Sequence, residues 1–236
     1  MQTPTVELVY LPIAEQGFDP DLPDALKILD EEELIRFHRY KNDHARDCFI
    51  QARRIAKSLL AARLGCDAHQ VKFQYSDNGK PSLIGAELPC FNISHSNSAV
   101  VVAVADVGVG VDTEEVDRRS KPWRATADYL NAHAEACVEA CATEFESAAT
   151  FATHWSCMES YVKLRGSSLF FDKDHVAIEP FAAFELGECF RYQEIYFKTF
   201  DLSDAMRISI ATEGCLPLVS LKRWQGSAPL VDVGIY

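Results

Sequence analysis

Asp112 and Glu114 stand two residues apart in VGVGVDTEEV, residues 107–116. Side chains alternate along an extended segment, so both acids point to one face while Thr113 and Glu115 point to the other. Their backbone positions are about 7 Å apart at ~3.3 Å rise per residue. Two carboxylates so placed can converge on one hard cation. Mg²⁺ is usually held by one or two carboxylates together with water and phosphate oxygens. The plain alternative is a solvated acidic strand end. A third carboxylate lies in THWSCMESYVKLRGSSL, residues 153–169, where Trp155, Glu159, Lys163 and Gly166 are spaced 4, 4 and 3 apart. Those spacings predict one helix that ends at the glycine. At about 100° per residue, Glu159 falls roughly 40° from Trp155, on the apolar face. An unpaired carboxylate is costly there, so Glu159 must be paired, metal-bound or at the edge of a cleft. Lys163 at i+4 could be an ordinary helix pair. That accounts for the lysine but not for the place of the glutamate.

Other stretches suit an anion. DNGKPSLIG (77–85) has the signature of a turn, with Gly79, Lys80 and Pro81 together. FNISHS (91–96) brings Ser94, His95 and Ser96 to a strand end, where small hydroxyls beside a histidine can receive a phosphate or simply finish the strand. The chain has a net charge of −12, yet residues 36–57 hold seven Lys or Arg against Asp43 and Asp47, which is +5 and leaves −17 elsewhere. The overall charge argues against a general nucleic-acid binder, and the local excess of base points to a small anionic ligand. Arg46, Arg53 and Lys57 fall within about 40° of one another on a helix, for which a solvated face is the plain reading.

The elements that would position these groups follow from pattern. VELVYLPI (6–13) reads as a first strand, and residues 30–64 as helix with a break near Asn42–Asp43. Cys48, Phe49, Ala52, Ile55, Ala56 and Leu59 form a core stripe at helical spacing. VKFQY, FNISHS with SAVVVAVAD, and VGVGVDTEEV read as strands. Helix resumes near 122 and ends at Gly166. HVAIEP, ECFRYQEIYFKTF, MRISIAT and LPLVSLKRW supply late strands. The order repeats: a helix ends at Gly65 or Gly166, then a strand, then a strand pair led by NIS (92–94) or RIS (207–209). This predicts an α+β chain of two pseudo-symmetric halves, 1–110 and 111–236, with the ligand site in the crevice between them. No apolar run approaches the ~20 residues of a membrane helix, and the N-terminus lacks the basic region of a secretory signal. Eight scattered cysteines in a chain of 236 residues predict reduced thiols and a cytoplasmic setting. Cys137 and Cys141, at i, i+4 with no second Cys or His pair, read as packing rather than as a zinc site.

Taken in order, Gly79-Lys80-Pro81, Phe91-Asn92-Ile93-Ser94-His95-Ser96, Gly110-Val111-Asp112-Thr113-Glu114 and Trp155-Ser-Cys-Met158-Glu159-Ser160-Tyr-Val-Lys163 with Gly166 resemble the 4′-phosphopantetheinyl transferases of the larger, surfactin-type class. RFHRYKNDHARDCFIQARR, from residue 36, resembles the basic helix of that family. The resemblance implies transfer of phosphopantetheine from coenzyme A to a serine of an acyl or peptidyl carrier protein, with release of 3′,5′-ADP. It implies that Asp112, Glu114 and Glu159 hold Mg²⁺, with Mn²⁺ as a substitute. It also implies that Glu159 takes the serine proton and that Lys163 neutralises phosphate charge. Arg46, Lys80 with Pro81, Ser94 and His95, and more weakly Arg53, would hold the adenosine and 3′-phosphate end. A monomer is expected, since one chain builds both halves. The family's lysine before the catalytic glutamate is here Met158, which the resemblance reads as a weakened phosphate contact or a lost helper pair for a carboxylate. A coenzyme-A-binding homologue with weakened transfer and an unrelated Mg²⁺-dependent hydrolase are the alternatives. The basic helix and the NISHS strand have no reason to exist in the second of these.

Overall fold

The computed structural model describes residues 5–13, 22–116, 132–167, 189–203, 205–214, 217–225 and 231–235. It is a mixed α+β chain of two compact units, Met1–Val107 with Leu218–Tyr236 and Gly108–Pro217. The last two strands therefore return to the first unit, whereas the sequence predicts all of 111–236 in the second.

In the first unit, β1 (Thr5–Pro12), β4 (Cys90–His95), β5 (Ala99–Ala105), β10 (Leu218–Arg223) and β11 (Val231–Ile235) form a sheet in the order β11-β10-β1-β5-β4. Only β1 and β10 run parallel. Val100, Val102 and Val104 recur at the period of two and face helix α3 (Asp43–Leu64), whose Cys48, Ala52, Ile55, Ala56, Leu59 and Leu60 pack on them. Asn42 caps that helix through His44 N, and Gly65 closes it in the left-handed conformation. A hairpin of β2 (Phe73–Tyr75) and β3 (Pro81–Leu83) flanks this core. Helix α1 (Leu22–Leu26) and helix α2 (Glu31–Arg39) precede α3, so the helical stretch is broken where the sequence predicts. Asp30 and Glu33 form a reciprocal capping box on α2.

One expectation is overturned here. Arg53 and Lys57 are not a solvated face: Arg53 is 6% exposed and Lys57 0%. Lys57 Nζ lies 2.5 Å from Glu33 Oε2, and Arg53 Nε 3.1 Å from Glu33 Oε1. The capping glutamate is itself buried, so α3 must supply the cations that make its burial tolerable. That demand arises from the packing of α2 on α3 and is invisible along α3 alone.

In the second unit, β6 (Val109–Glu115), β9 (Met206–Glu213), β8 (Ile195–Ser203) and β7 (Cys189–Tyr192) form an antiparallel sheet in the order β6-β9-β8-β7. The stretch ECFRYQEIYFKTF makes two of these strands, turning at Gln193 with positive φ. HVAIEP lies outside the described residues. Helix α4 (Ala132–Glu139) precedes helix α5 (Glu144–Arg165), which runs along the sheet. Thr143 and Glu146 form the capping box of α5, and Gly166 ends it with φ of 69°. The Cys141 thiol donates to Cys137 O at 3.2 Å, the back-bond of a helix end. Among the described residues, no helix is long and apolar enough to cross a membrane.

Candidate active site

The site of the second unit begins with a glycine. Gly110, Asp112 and Glu114 share one face of β6, and that face meets α5. A Cβ on Gly110 would lie 2.0 Å from Ser160 O and 2.6 Å from Leu164 N. Strand backbone and helix backbone are therefore in direct contact, with no side chain between them. Two residues on, Asp112 is 3% exposed and its Oδ1 accepts a hydrogen bond from Lys163 Nζ, forming an ion pair. The lysine predicted to follow Glu159 by one helical turn thus reaches across to the strand. Glu159 and Glu114 are partly buried nearby.

A buried polar layer beneath these groups fixes the helix to the sheet. Ser209, the β9 partner of Asp112, bonds Ser156 Oγ at 2.7 Å and Thr199 Oγ1 at 2.8 Å. The Cys157 thiol lies 3.0 Å from Thr199 Oγ1 and 3.3 Å from Ser209 Oγ. Burial chiefly pushes the Cys157 thiol up to about 11, so it is a neutral packing group. Glu114 faces Arg207 across the β6–β9 ladder, and that buried guanidinium pairs with Asp201 at 2.7 Å.

Negative charge is in excess here. Burial, then the neighbouring Asp112, Glu159 and Glu115 carboxylates, push Glu114 up to about 8, with Lys163 opposing. Burial also raises Glu159, with Lys163 opposing and Asp112 adding. An all-carboxylate donor set of this kind suits a hard divalent cation such as Mg²⁺ or Mn²⁺. Such a cation would offset the carboxylate repulsion that adds to burial in raising Glu114. Among the described residues, no three His, Cys, Asp or Glu side chains are gathered to hold a metal as they stand.

Met158 is fully buried, packed with Cys157, Val162, Ile195 and Phe197 in the core of this unit. It turns toward the sheet rather than flanking the carboxylates as a missing phosphate contact. Trp155 stacks on Phe151 at 5.5 Å and only borders that core, so Glu159 stands at its margin and not within it.

The remaining predicted residues belong to the first unit. Arg46 sits in the first turn of α3, paired with Asp43 at 2.8 Å in solvent. Lys80 lies in the β2–β3 turn, where Ser76 N donates to its carbonyl at 3.0 Å and its own N–H donates to Ser76 Oγ at 3.1 Å. Pro81 opens β3 opposite Tyr75. Arg53 donates to Tyr75 Oη at 3.3 Å and stacks on Phe49, so it ties α3 to the hairpin that presents Lys80. Ser94 is buried in β4 and His95, the last residue of that strand, is exposed. Strand alternation turns these two to opposite faces. The sequence reading names Gly110 within its strand motif without giving it a role, and it misses the Ser209 layer and Arg207. For Gly110 a signal existed, because it shares the strand parity of Asp112 and Glu114.

Residues 108–205, which hold this whole arrangement except Arg207 and Ser209, match the family model of the 4′-phosphopantetheinyl transferase superfamily. The 4′-phosphopantetheinyl transferase HetI of Nostoc is 28% identical over 156 residues, 64% of this chain and 65% of its own. An L-aminoadipate-semialdehyde dehydrogenase-phosphopantetheinyl transferase of Eremothecium gossypii is 30% identical over 152 residues, covering 61% of this chain and 54% of its own. The 4′-phosphopantetheinyl transferase Sfp of Bacillus subtilis is 22% identical over 164 residues, 66% and 69%. The chain thus spans less than two thirds of the length of the first two. The similarity is to the phosphopantetheinyl transferase class of enzymes as a whole, with no one subclass standing out.

Proposed function

We propose, from the match of residues 108–205 to the 4′-phosphopantetheinyl transferase superfamily, that this protein moves the phosphopantetheine group of coenzyme A onto a serine of an apo carrier protein and releases 3′,5′-ADP. The observation that carries the reading is the seating of α5 on Gly110, which brings Glu159 and Lys163 of the helix to Asp112 and Glu114 of the strand. Asp112, Glu114 and Glu159 would hold Mg²⁺ or Mn²⁺, which when bound neutralises charge on the pyrophosphate. Phosphoryl transfer is mostly positioning and charge neutralisation, so a buried cluster with one mobile cation suits it. Glu159 takes the proton of the attacking serine, directly or through water, and its raised affinity for a proton fits that task. Lys163 carries an ammonium on a flexible stem that meets the phosphates as the bond breaks. In the first unit, Arg46, Lys80 with Pro81, Ser94 and His95 are the proposed partners of the adenosine and 3′-phosphate, with Arg53 acting through the hairpin it anchors. A soluble, monomeric, cytoplasmic enzyme is part of the same reading.

The test is to incubate the protein with an apo carrier protein, coenzyme A and Mg²⁺ and to weigh the carrier. A gain of one phosphopantetheine on its serine is expected, and Glu159→Gln should abolish the gain while coenzyme A still binds. An unmodified carrier would overturn the reading, and cleavage of coenzyme A with the carrier unmodified would favour a hydrolase.

A further inference from the structure

The ion pair between Lys163 and Asp112 has a consequence for the order in which ligands can bind. The two side chains come from different elements, 51 residues apart, and differ in freedom. The Asp112 side chain is 4% exposed, whereas that of Lys163 is 28% exposed at the end of a four-carbon stem. The aspartate is therefore the fixed partner and the lysine the one able to move. Asp112 is also the strand residue on which the proposed cation site centres. An ammonium in contact with its carboxylate repels a divalent ion on that same group, and it also consumes the negative charge that would attract one.

We infer that Lys163 is a resident counter-ion that a divalent cation must displace from Asp112, and that an incoming diphosphate, by giving the ammonium a new partner, makes cation and diphosphate binding cooperative. The inference rests on the proposed transfer reading for the identity of the diphosphate, that of coenzyme A. In the protein alone the lysine holds the acids in check and the cation binds weakly. With the diphosphate present the lysine swings to the phosphates, Asp112 is released, and the cation binds the freed carboxylates. By linkage the cation strengthens diphosphate binding by the same factor. The arrangement also protects the acids from mutual repulsion before substrate arrives.

The experiment measures Mn²⁺ binding to the full chain by the electron paramagnetic resonance signal of the free ion, with and without coenzyme A. Lys163→Met is compared with Arg165→Met, which removes an equal charge two residues away from a half-exposed pair with Glu213. For Lys163→Met, Mn²⁺ affinity without coenzyme A should rise about tenfold, and the enhancement by coenzyme A should shrink by the same factor. Arg165→Met should stay within about twofold of the unaltered protein, as expected for a screened surface charge. Unchanged or weaker Mn²⁺ binding by Lys163→Met overturns the displacement, as does an equal gain from Arg165→Met. If Mn²⁺ binds none of the proteins, the cation site itself fails and this inference with it. Carrier modification in the same preparations reports separately on the transfer reading.

Discussion

Replacing Gly110 by alanine probes the contact on which the proposed site depends. The added methyl would sit 2.0 Å from Ser160 O, 2.6 Å from Leu164 N and 3.0 Å from Leu164 Cα. Ordinary contact begins near 3.4 Å, so α5 must retreat by 3.4 − 2.0, about 1.4 Å. Neither partner can turn aside, because both are backbone and belong to consecutive turns of one helix. Overpacking of a core costs about 1–3 kcal/mol, and backbone on backbone belongs at the upper end. At about 2–4 °C per kcal/mol for a chain of this size, Tm should fall by about 6–12 °C. The same retreat carries Glu159 and Lys163 away from Asp112 and Glu114. A misplacement of about 1 Å can cost 10²-fold in rate. Tm would be followed by circular dichroism, and carrier modification measured well below the variant's Tm. Val111→Ala is the control, since Val111 is buried on the opposite face of β6 and its loss leaves a cavity without pushing the helix. It should lower Tm and preserve the rate. A Gly110→Ala protein whose Tm and rate both match the parent would refute the seating of α5. A lowered Tm with an unchanged rate would refute the link from that seating to chemistry.

Three further outcomes are expected. In the metal-free protein, Glu114 keeps its proton from the ordinary 4.5 up to about 8, so the unfolded chain gives up that proton first and stability falls as pH rises between those values. Glu114→Gln removes this loss, and its Tm advantage should grow from pH 5 to pH 8 by the equivalent of about 3–4 kcal/mol; a constant difference would contradict the origin of the shift. Met158→Lys places an ammonium in the apolar core, so it should cost more than the about 2–5 kcal/mol of a core Met→Ala and bring no gain in rate. A stable, faster variant would restore the reading of Met158 as a lost phosphate contact. Glu33→Gln leaves Lys57 and Arg53 buried without their anion and should cost about 3–5 kcal/mol by chemical denaturation. A cost near zero would show that the two cations find other partners.

The sequence by itself determined many of the elements and which residues were candidates for chemistry. Helical spacing marked the stripe of α3, period two marked β5 and β6, and glycines marked the helix ends at 65 and 166. Parity along one strand was enough to put Asp112 and Glu114 together, and the same parity held the clue to Gly110. These are local properties, set by the geometry of a single element. What the tertiary structure alone decided was where each element's faces point. Arg53 and Lys57 read as a solvated stripe until the packing of α2 set a buried Glu33 against them. Met158 read as a missing cation until the sheet covered its side of α5. Lys163, for which a helix pair with Glu159 is the plain reading and a phosphate contact the one the resemblance implies, also reaches Asp112 across to the strand, because a strand with no side chain at Gly110 lies against the helix backbone. Side chains far apart in sequence met only when packing brought them together, and charge and burial at such meetings follow from the neighbour rather than from the residue.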